Sequence, residues 1–484
     1  MDLLKLGMQC DVALENEDLI ELYSLVEKIE NTKLDDLLLE DVCQLEYTIG
    51  NLYVGISCAL NEELPSWRNG EFPKYRVKAI NSYRRARALA DVTESPLFAQ
   101  ITTNLAIEIS QQGRAIEAIS NWNMHFASTG DAPIVAAFSK AQSLKWLTYY
   151  INDPGHVDCY LIEAYKLLKK LDETVDKKDH PKIFNELKNN AEYRTLLDHG
   201  DDNFWSDLEW DKSEPDYLYS YEEKQYRSWC LMMGLFANDL NDLTNKWIAD
   251  QDILQFPTHN VDVGVGPYLS SAFSAIKREF CFARFLAYEG INNVHPKFEN
   301  KNLFLADTYD GVKFEGEIEK IKAAFRISFS ALDSIATLLD QYFKCESNQP
   351  SFSPIWIKKN LNNHKNPFVD ALYWLACDLT DASLIREERW KAPNPESGEI
   401  RRLRNAIEHG WLRVVEFNFD DEERLGDYAH IISSEKLKHL TIDILLTVRA
   451  ALQYVCFAVK YEEVRNSDGS GNYLSQTVPL WEQN

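Results

Sequence analysis

Residues 317–343 read EIEKIKAAFRISFSALDSIATLLDQYF, and their apolar positions decide the fold class. Ile321, Phe325, Leu332, Ile335 and Leu339 are separated by steps of three, four or seven, so they line one stripe of an α-helix. The same period recurs at Phe368, Leu372, Leu375 and Leu379, and again over 435–461 at Leu437, Leu440, Ile444, Val448, Leu452, Val455 and Val459. With the intervening stretch 401–416, these segments predict four amphipathic helices joined by loops. The expected fold is all-α, with an antiparallel bundle whose core runs from about 317 to 461.

The chain has 484 residues, enough for two or three domains, and its 45% hydrophobic and 12% aromatic content can fill their cores. A formal charge of -25 repels nucleic acid and anionic membrane alike, so any RNA must be held at a local basic site. The first twenty residues have no basic segment followed by an apolar core, so no signal peptide is expected. The most apolar run, LTVRAALQYVCFAV, is short and contains Arg449, and no membrane span is expected. Nine dispersed cysteines without a CxxC pair predict reduced thiols in the cytoplasm, with neither structural zinc nor another metal. There is no GxxxxGK[ST] loop, and no cofactor is expected.

Upstream, helical periodicity continues. In NLAIEISQQGRAIEAISNW, Leu105 and Ala106 fall on one helix, Gly113 at a turn, and Ala118 and Trp122 on the next. Ala79 and Tyr83 in KAINSYRRARALAD repeat the second-helix pattern 39 residues earlier. These small-then-bulky spacings resemble tetratricopeptide (TPR) repeats, in which stacked helix pairs build a concave surface for a protein or ligand. A non-repetitive helical domain is the plainer reading of the same pattern. The expected organisation is a TPR-like domain over 1–171, a charged connector over 172–215, a helical domain over 216–466 and a flexible tail over 467–484.

The stretch 401–416, RRLRNAIEHGWLRVVE, is basic in an acidic chain. On a helical wheel Leu403, Ile407, Trp411 and Val414 share one sector and should enter the bundle. Asn405 and His409 lie opposite, close to Arg401, Arg402 and Arg413, with Arg404 on the flank. Guanidinium groups hold phosphate oxygens and stabilise a pentacoordinate transition state. Histidine can both take and give a proton near neutrality. RNA brings its own nucleophile, the 2′-hydroxyl, so the pattern calls for no metal. Gly410 is a signal for the helix to end or bend there, and at a helix end a protonated imidazole suits a general acid. A solvated basic helix face is the plain alternative.

Arg404-Asn405-Ala406-Ile407-Glu408-His409 resembles the R-x4-H signature of the HEPN superfamily (higher eukaryotes and prokaryotes nucleotide-binding). YRSWC and NDLNDL between 226 and 243, the helix at 317–343, NPFVDALYWLACDL at 366–379 and RNAIEHGWLRV at 404–414 are similar to a bacterial HEPN branch that follows a TPR-like region. The resemblance covers roughly 220–460. It implies a metal-independent ribonuclease with Arg404 and His409 as catalytic pair and Asn405 orienting phosphate or imidazole. Arg401, Arg402 and Arg413 would hold RNA. Arg402 also stands at a tolerated spacing from His409, so the choice between it and Arg404 stays open. Asp333 and Arg326 are weaker candidates for support, which a surface ion pair would explain equally well. The resemblance further implies a homodimer with a composite site, and a trigger, protein or ligand, acting through the TPR-like region. An inactive HEPN relative serving as a binding scaffold is the competing reading.

Overall fold

The computed structural model describes residues 3–32, 37–69, 73–123, 132–262, 266–294, 298, 301–305, 311–380, 397–416, 429–466, 473–476 and 478–480. The chain forms two compact units, the first running to Glu209, the second covering Trp210–Thr380 and Glu396–Asn484.

The first unit carries α1 (Leu3–Glu15), α2 (Leu19–Glu30), α3 (Leu39–Ala59), α4 (Lys74–Thr93), α5 (Phe98–Gln111), α6 (Ala115–Asn123), α7 (Ala132–Leu147), α8 (Pro154–Thr174), α9 (Pro181–Asn189) and α10 (Ala191–Asp202). From α1 to α8 each helix packs on the next. Where they meet, Ala79, Ala106 and Ala118 are fully buried, with Tyr83 and Trp122 filling the space between helices. Gly113 turns the chain between α5 and α6 at φ +80°, a left-handed conformation that glycine adopts without steric cost. The pairs are not copies of one length: α3 and α4 have 21 and 20 residues, α5 and α6 have 14 and 9.

The stretch expected as a connector differs. Much of 172–215 is helical, because Leu187 of α9 and Tyr193, Leu196 and Leu197 of α10 are buried, and both helices pack on α8. Asn190 caps α10 by accepting from the backbone N–H groups of Glu192 and Tyr193. Its charged composition belongs to the outer faces of two short helices.

The second unit holds α11 (Tyr221–Met232), β1 (His259–Asp262), α12 (Tyr268–Ile291), α13 (Gly316–Tyr342), α14 (Pro354–Leu361), α15 (Pro367–Asp378), α16 (Ser397–His409), β2 (Trp411–Val415), β3 (Ala429–Ser433), α17 (Ser434–Arg465) and β4 (Tyr473–Gln476). The predicted stripes of α13 and α17 are buried throughout. Helix α17 lies at the centre, packed on α12, α13 and α15. Asn366 caps α15 through Phe368 N–H and donates from Nδ2 to the Ala458 carbonyl (2.9 Å) and Glu462 Oε1 (3.0 Å) of α17. At Gly290 a Cβ would stand 2.6 Å from the Glu317 carbonyl oxygen, so this glycine lets α12 and α13 close on each other.

Three expectations for this unit are corrected. The fourth core helix is α12, which lies outside the predicted 317–461 core, while α16 rests on α13. The helix over 401–416 stops at His409: Gly410 closes the last turn, and the strand-forming run Trp-Leu-Arg-Val-Val pairs as β2 in parallel with β3, Trp411 opposite Ala429. Trp411 is therefore exposed rather than in the bundle. The tail is not loose over its whole length, since β4 pairs antiparallel with β1, His259 opposite Gln476, and Gln255 donates to the Val478 carbonyl. Its first residues, 467–472, lie outside the described residues.

Among the described residues one helix, α17, is long and apolar enough to cross a membrane, and 78% of its apolar window is buried inside the protein. Its Arg449 donates to Asp242 Oδ1 (2.6 Å) and to the carbonyls of Phe236 (2.6 Å) and Asn238 (2.9 Å). Asp242→Ala should leave that buried guanidinium without its counter-charge and cost about 3–5 kcal/mol, read as a lowered urea midpoint for the second unit.

In the first unit, burial lowers the Lys140 ammonium to about 8 while Glu163 pulls the other way. The folded pKa lies below the unfolded one, so the cost of burying this lysine is full below pH 8 and fades as pH rises towards the unfolded value. Lys140→Met should therefore stabilise the protein at pH 7 and lose that advantage by about pH 10.5, measured as paired melting curves.

Candidate functional site

Helix α16 is positioned by its apolar side. Ile400, Leu403 and Ala406 are buried, three residues apart, and turn the opposite face to water. Arg402, Asn405, Glu408 and His409 are exposed, while Arg401, Arg404 and Ile407 are half-buried on the flanks. Asn405 and His409 stand one turn apart on one face, with Cβ atoms about 5–6 Å apart. Arg402 continues that line one turn earlier.

Three contacts fix the helix. Lys436 in the first turn of α17 faces Glu399 at 3.9 Å. Arg404 Nη2 donates to Asp333 Oδ2 on α13 (3.1 Å), and its guanidinium lies 4.7 Å from the centre of the Phe329 ring. Asp333 is held in turn by the Phe352 N–H at its other oxygen (3.1 Å). Arg326 Nη2 donates to the Ile407 carbonyl (2.8 Å), and its Nε lies 3.3 Å from Glu408. Carbonyls in the last turn of a helix have no partner within it, so Arg326 acts as a side-chain cap.

Asp333 and Arg326 thus support α16. Their pairs are roughly half exposed, so each adds little stability, and their effect is to orient the helix. Sequence reasoning could name both residues but not their partners, which lie 71 and 81 positions away in the chain.

Of the predicted site residues, Arg401, Arg402, Arg404, Asn405 and His409 share α16, and His409 is its last residue, as the Gly410 signal implied. Arg413 does not: it belongs to β2, opposite Ile431. Arg404 is the arginine fastened to α13, whereas Arg402 is the one on the imidazole's own face. Among the described residues the side chains of Arg401, Arg402, Asn405 and His409 take no hydrogen bond or ion pair, so all four are available to a ligand.

The face is open rather than enclosed. A pocket of about 280 Å³ in the same unit, lined by Tyr268, Tyr342, His364, Glu462 and Glu463 among others, shares no residue with α16. Among the described residues no group of three or more His, Cys, Asp or Glu side chains converges as a metal site. An exposed helix face with a free imidazole, an amide and arginines can grip an extended anion and move a proton at its edge.

Arg326→Ala should fray the end of α16. Faster amide exchange over 405–410, with the rest of the unit unchanged, is the expected outcome by hydrogen-exchange mass spectrometry.

Residues 261–462, from β1 to near the end of α17, match the family model described as LA2681-like HEPN. No curated protein and no solved structure matches the chain.

Proposed function

Since residues 261–462 form a HEPN domain, we propose that the protein is a metal-independent endoribonuclease that cuts RNA by attack of the 2′-hydroxyl on the adjacent phosphate. The observation that carries this reading is the unengaged imidazole of His409 at the exposed end of α16, one turn from Asn405 and beside free arginines. His409 serves as the proton-transfer group, Arg404 and Asn405 orient the phosphate and imidazole, and Arg401 and Arg402 hold the flanking backbone. In-line cleavage uses a base on the 2′-oxygen and an acid on the leaving 5′-oxygen. One chain offers a single histidine in this motif, so two chains related by a two-fold axis would supply both groups. Products would be a 2′,3′-cyclic phosphate and a 5′-hydroxyl.

An unrestrained ribonuclease in the cytoplasm would damage its host. The helical array of the first unit suits a sensor that holds the site closed until a protein or ligand arrives, as in toxins and antiphage effectors. A second reading, an RNA- or nucleotide-binding scaffold, draws support from Arg404, which is already engaged with Asp333 and Phe329.

Cleavage of labelled total RNA in EDTA, with mapping of product ends, separates the two. The expected result is cutting by the wild type and a loss of about 10²–10⁴-fold in His409→Ala. Arg404→Lys keeps a cation for Asp333 but removes the planar fork, and should cut far more slowly at unchanged stability. Cleavage that EDTA abolishes, or ends carrying 5′-phosphate, would overturn the mechanism. A folded, dimeric second unit that binds RNA without cutting it would favour the scaffold.

A further inference from the structure

The last turns of α17 line the pocket of about 280 Å³ that has no part in the α16 face. Val261 and Leu269 are buried in its wall, and Tyr268, at the start of α12, is 49% exposed at its rim. At the end of α13 the Phe343 ring lies 5.0 Å from that of Tyr342 and 4.4 Å from the His364 imidazole, so one side is continuously aromatic.

Two carboxylates line this space from α17. Glu463 is fully occupied: Tyr342 Oη donates to Oε1 (2.8 Å) and the Asn260 N–H to Oε2 (3.1 Å). Glu462 is only 7% exposed and has one oxygen in use, Oε1, which accepts from Asn366 Nδ2 (3.0 Å). Among the described residues no donor meets its Oε2, and neither carboxylate has a cation as partner. Burial, then Glu463 and then Glu462 push the Tyr342 phenol up, so it stays a neutral donor beside them. Lys344 is exposed at the rim and makes an ion pair with neither. Positive charge, from Lys344 and the first turn of α12, is therefore at the rim and negative charge within.

A buried carboxylate oxygen without a donor is costly, and a cation that brings N–H groups relieves it. The side-chain amides of Asn260 and Gln341 line the same space and take no hydrogen bond among the described residues, so their oxygens can accept further protons. Flat rings attract a cation to their negative faces. A bare metal ion is a poorer fit, since no three acidic or imidazole groups converge among the described residues. The volume is at the small end for ligand pockets.

We propose that this pocket binds a small primary amine, its ammonium on Glu462 Oε2 and its apolar body against Tyr268 and Phe343. The site is separate from α16 and does not depend on the ribonuclease reading.

The test is isothermal titration of the full-length protein with phenethylamine, and with phenylacetate as a similar body of opposite charge. Phenethylamine should bind one to one, and phenylacetate should give no heat of binding. Glu462→Gln keeps an acceptor for Asn366 but removes the charge, and should weaken phenethylamine about tenfold or more. Tyr268→Leu keeps apolar bulk without the ring face, and should weaken it about two- to fivefold. Without ligand, Glu462→Gln should melt at a higher temperature than the wild type, because an unpaired buried charge is gone. Phenylacetate bound in place of the amine, equal amine binding by wild type and Glu462→Gln, or no amine bound at all overturns the proposal. So does a lower melting temperature in unliganded Glu462→Gln, which would mean that the carboxylate is already satisfied within the protein.

Discussion

Two buried arginines hold the second unit together. The segment 235–252 has few helical hydrogen bonds of its own, yet Leu235, Phe236 and Ala237 are fully or almost fully buried, so its carbonyls need partners. Arg284 of α12 takes Asp252 with both terminal nitrogens (2.8 Å each) and the Leu235 carbonyl (2.9 Å), and lies against the rings of Tyr226, Phe236 and Phe280. Burial works against the Asp252 charge, but Arg284 overrides it and holds the carboxyl below its usual range. Arg449 of α17 takes the Phe236 and Asn238 carbonyls and Asp242. One folded segment thus fastens α12 and α17 together, α13 packs on both, and α16 is hung on α13. The candidate site thus owes its placement to buried charges on elements other than its own.

This segment begins upstream of residue 261, where the family match starts. The unit in this chain is accordingly larger than the matched domain, with Cys230 and Leu231 of α11 and the 3-10 turn Asp239–Asp242 forming part of its interior. Arg449, which interrupts the most apolar stretch of the sequence, is the residue that makes that helix a core element rather than a uniformly greasy one.

Much of this was legible in the sequence, because helical period and burial are the same physics. The stripes of α13 and α17 and the glycine turn between α5 and α6 followed from residue type and spacing alone, whereas the helix end after His409 was signalled by Gly410 but masked by a wheel that ran on to Val414. What could not be read required knowledge of partners. A strand such as β2 is too short to outweigh helical continuity on a wheel, and it exists because β3 supplies its hydrogen bonds. The role of α12 depended on Gly290 meeting Glu317, a contact with no periodic signature. Charge was equally ambiguous: the stretch 172–215 reads as linker by composition, yet a few buried side chains suffice to fold it. At the site, spacing offered both Arg402 and Arg404 and could not show that Arg404 is the one that reaches Asp333 on α13.

The short ladder of β1 and β4 has a topological consequence. It brings residue 259 beside residue 476, and paired strands lie about 5 Å apart, so the helices between them are entered and left through one doorway. The helices that carry Arg402, Asn405 and His409 are thereby clasped at both ends of their run by one pair of strands, so that loosening at residue 476 would release residue 259 as well.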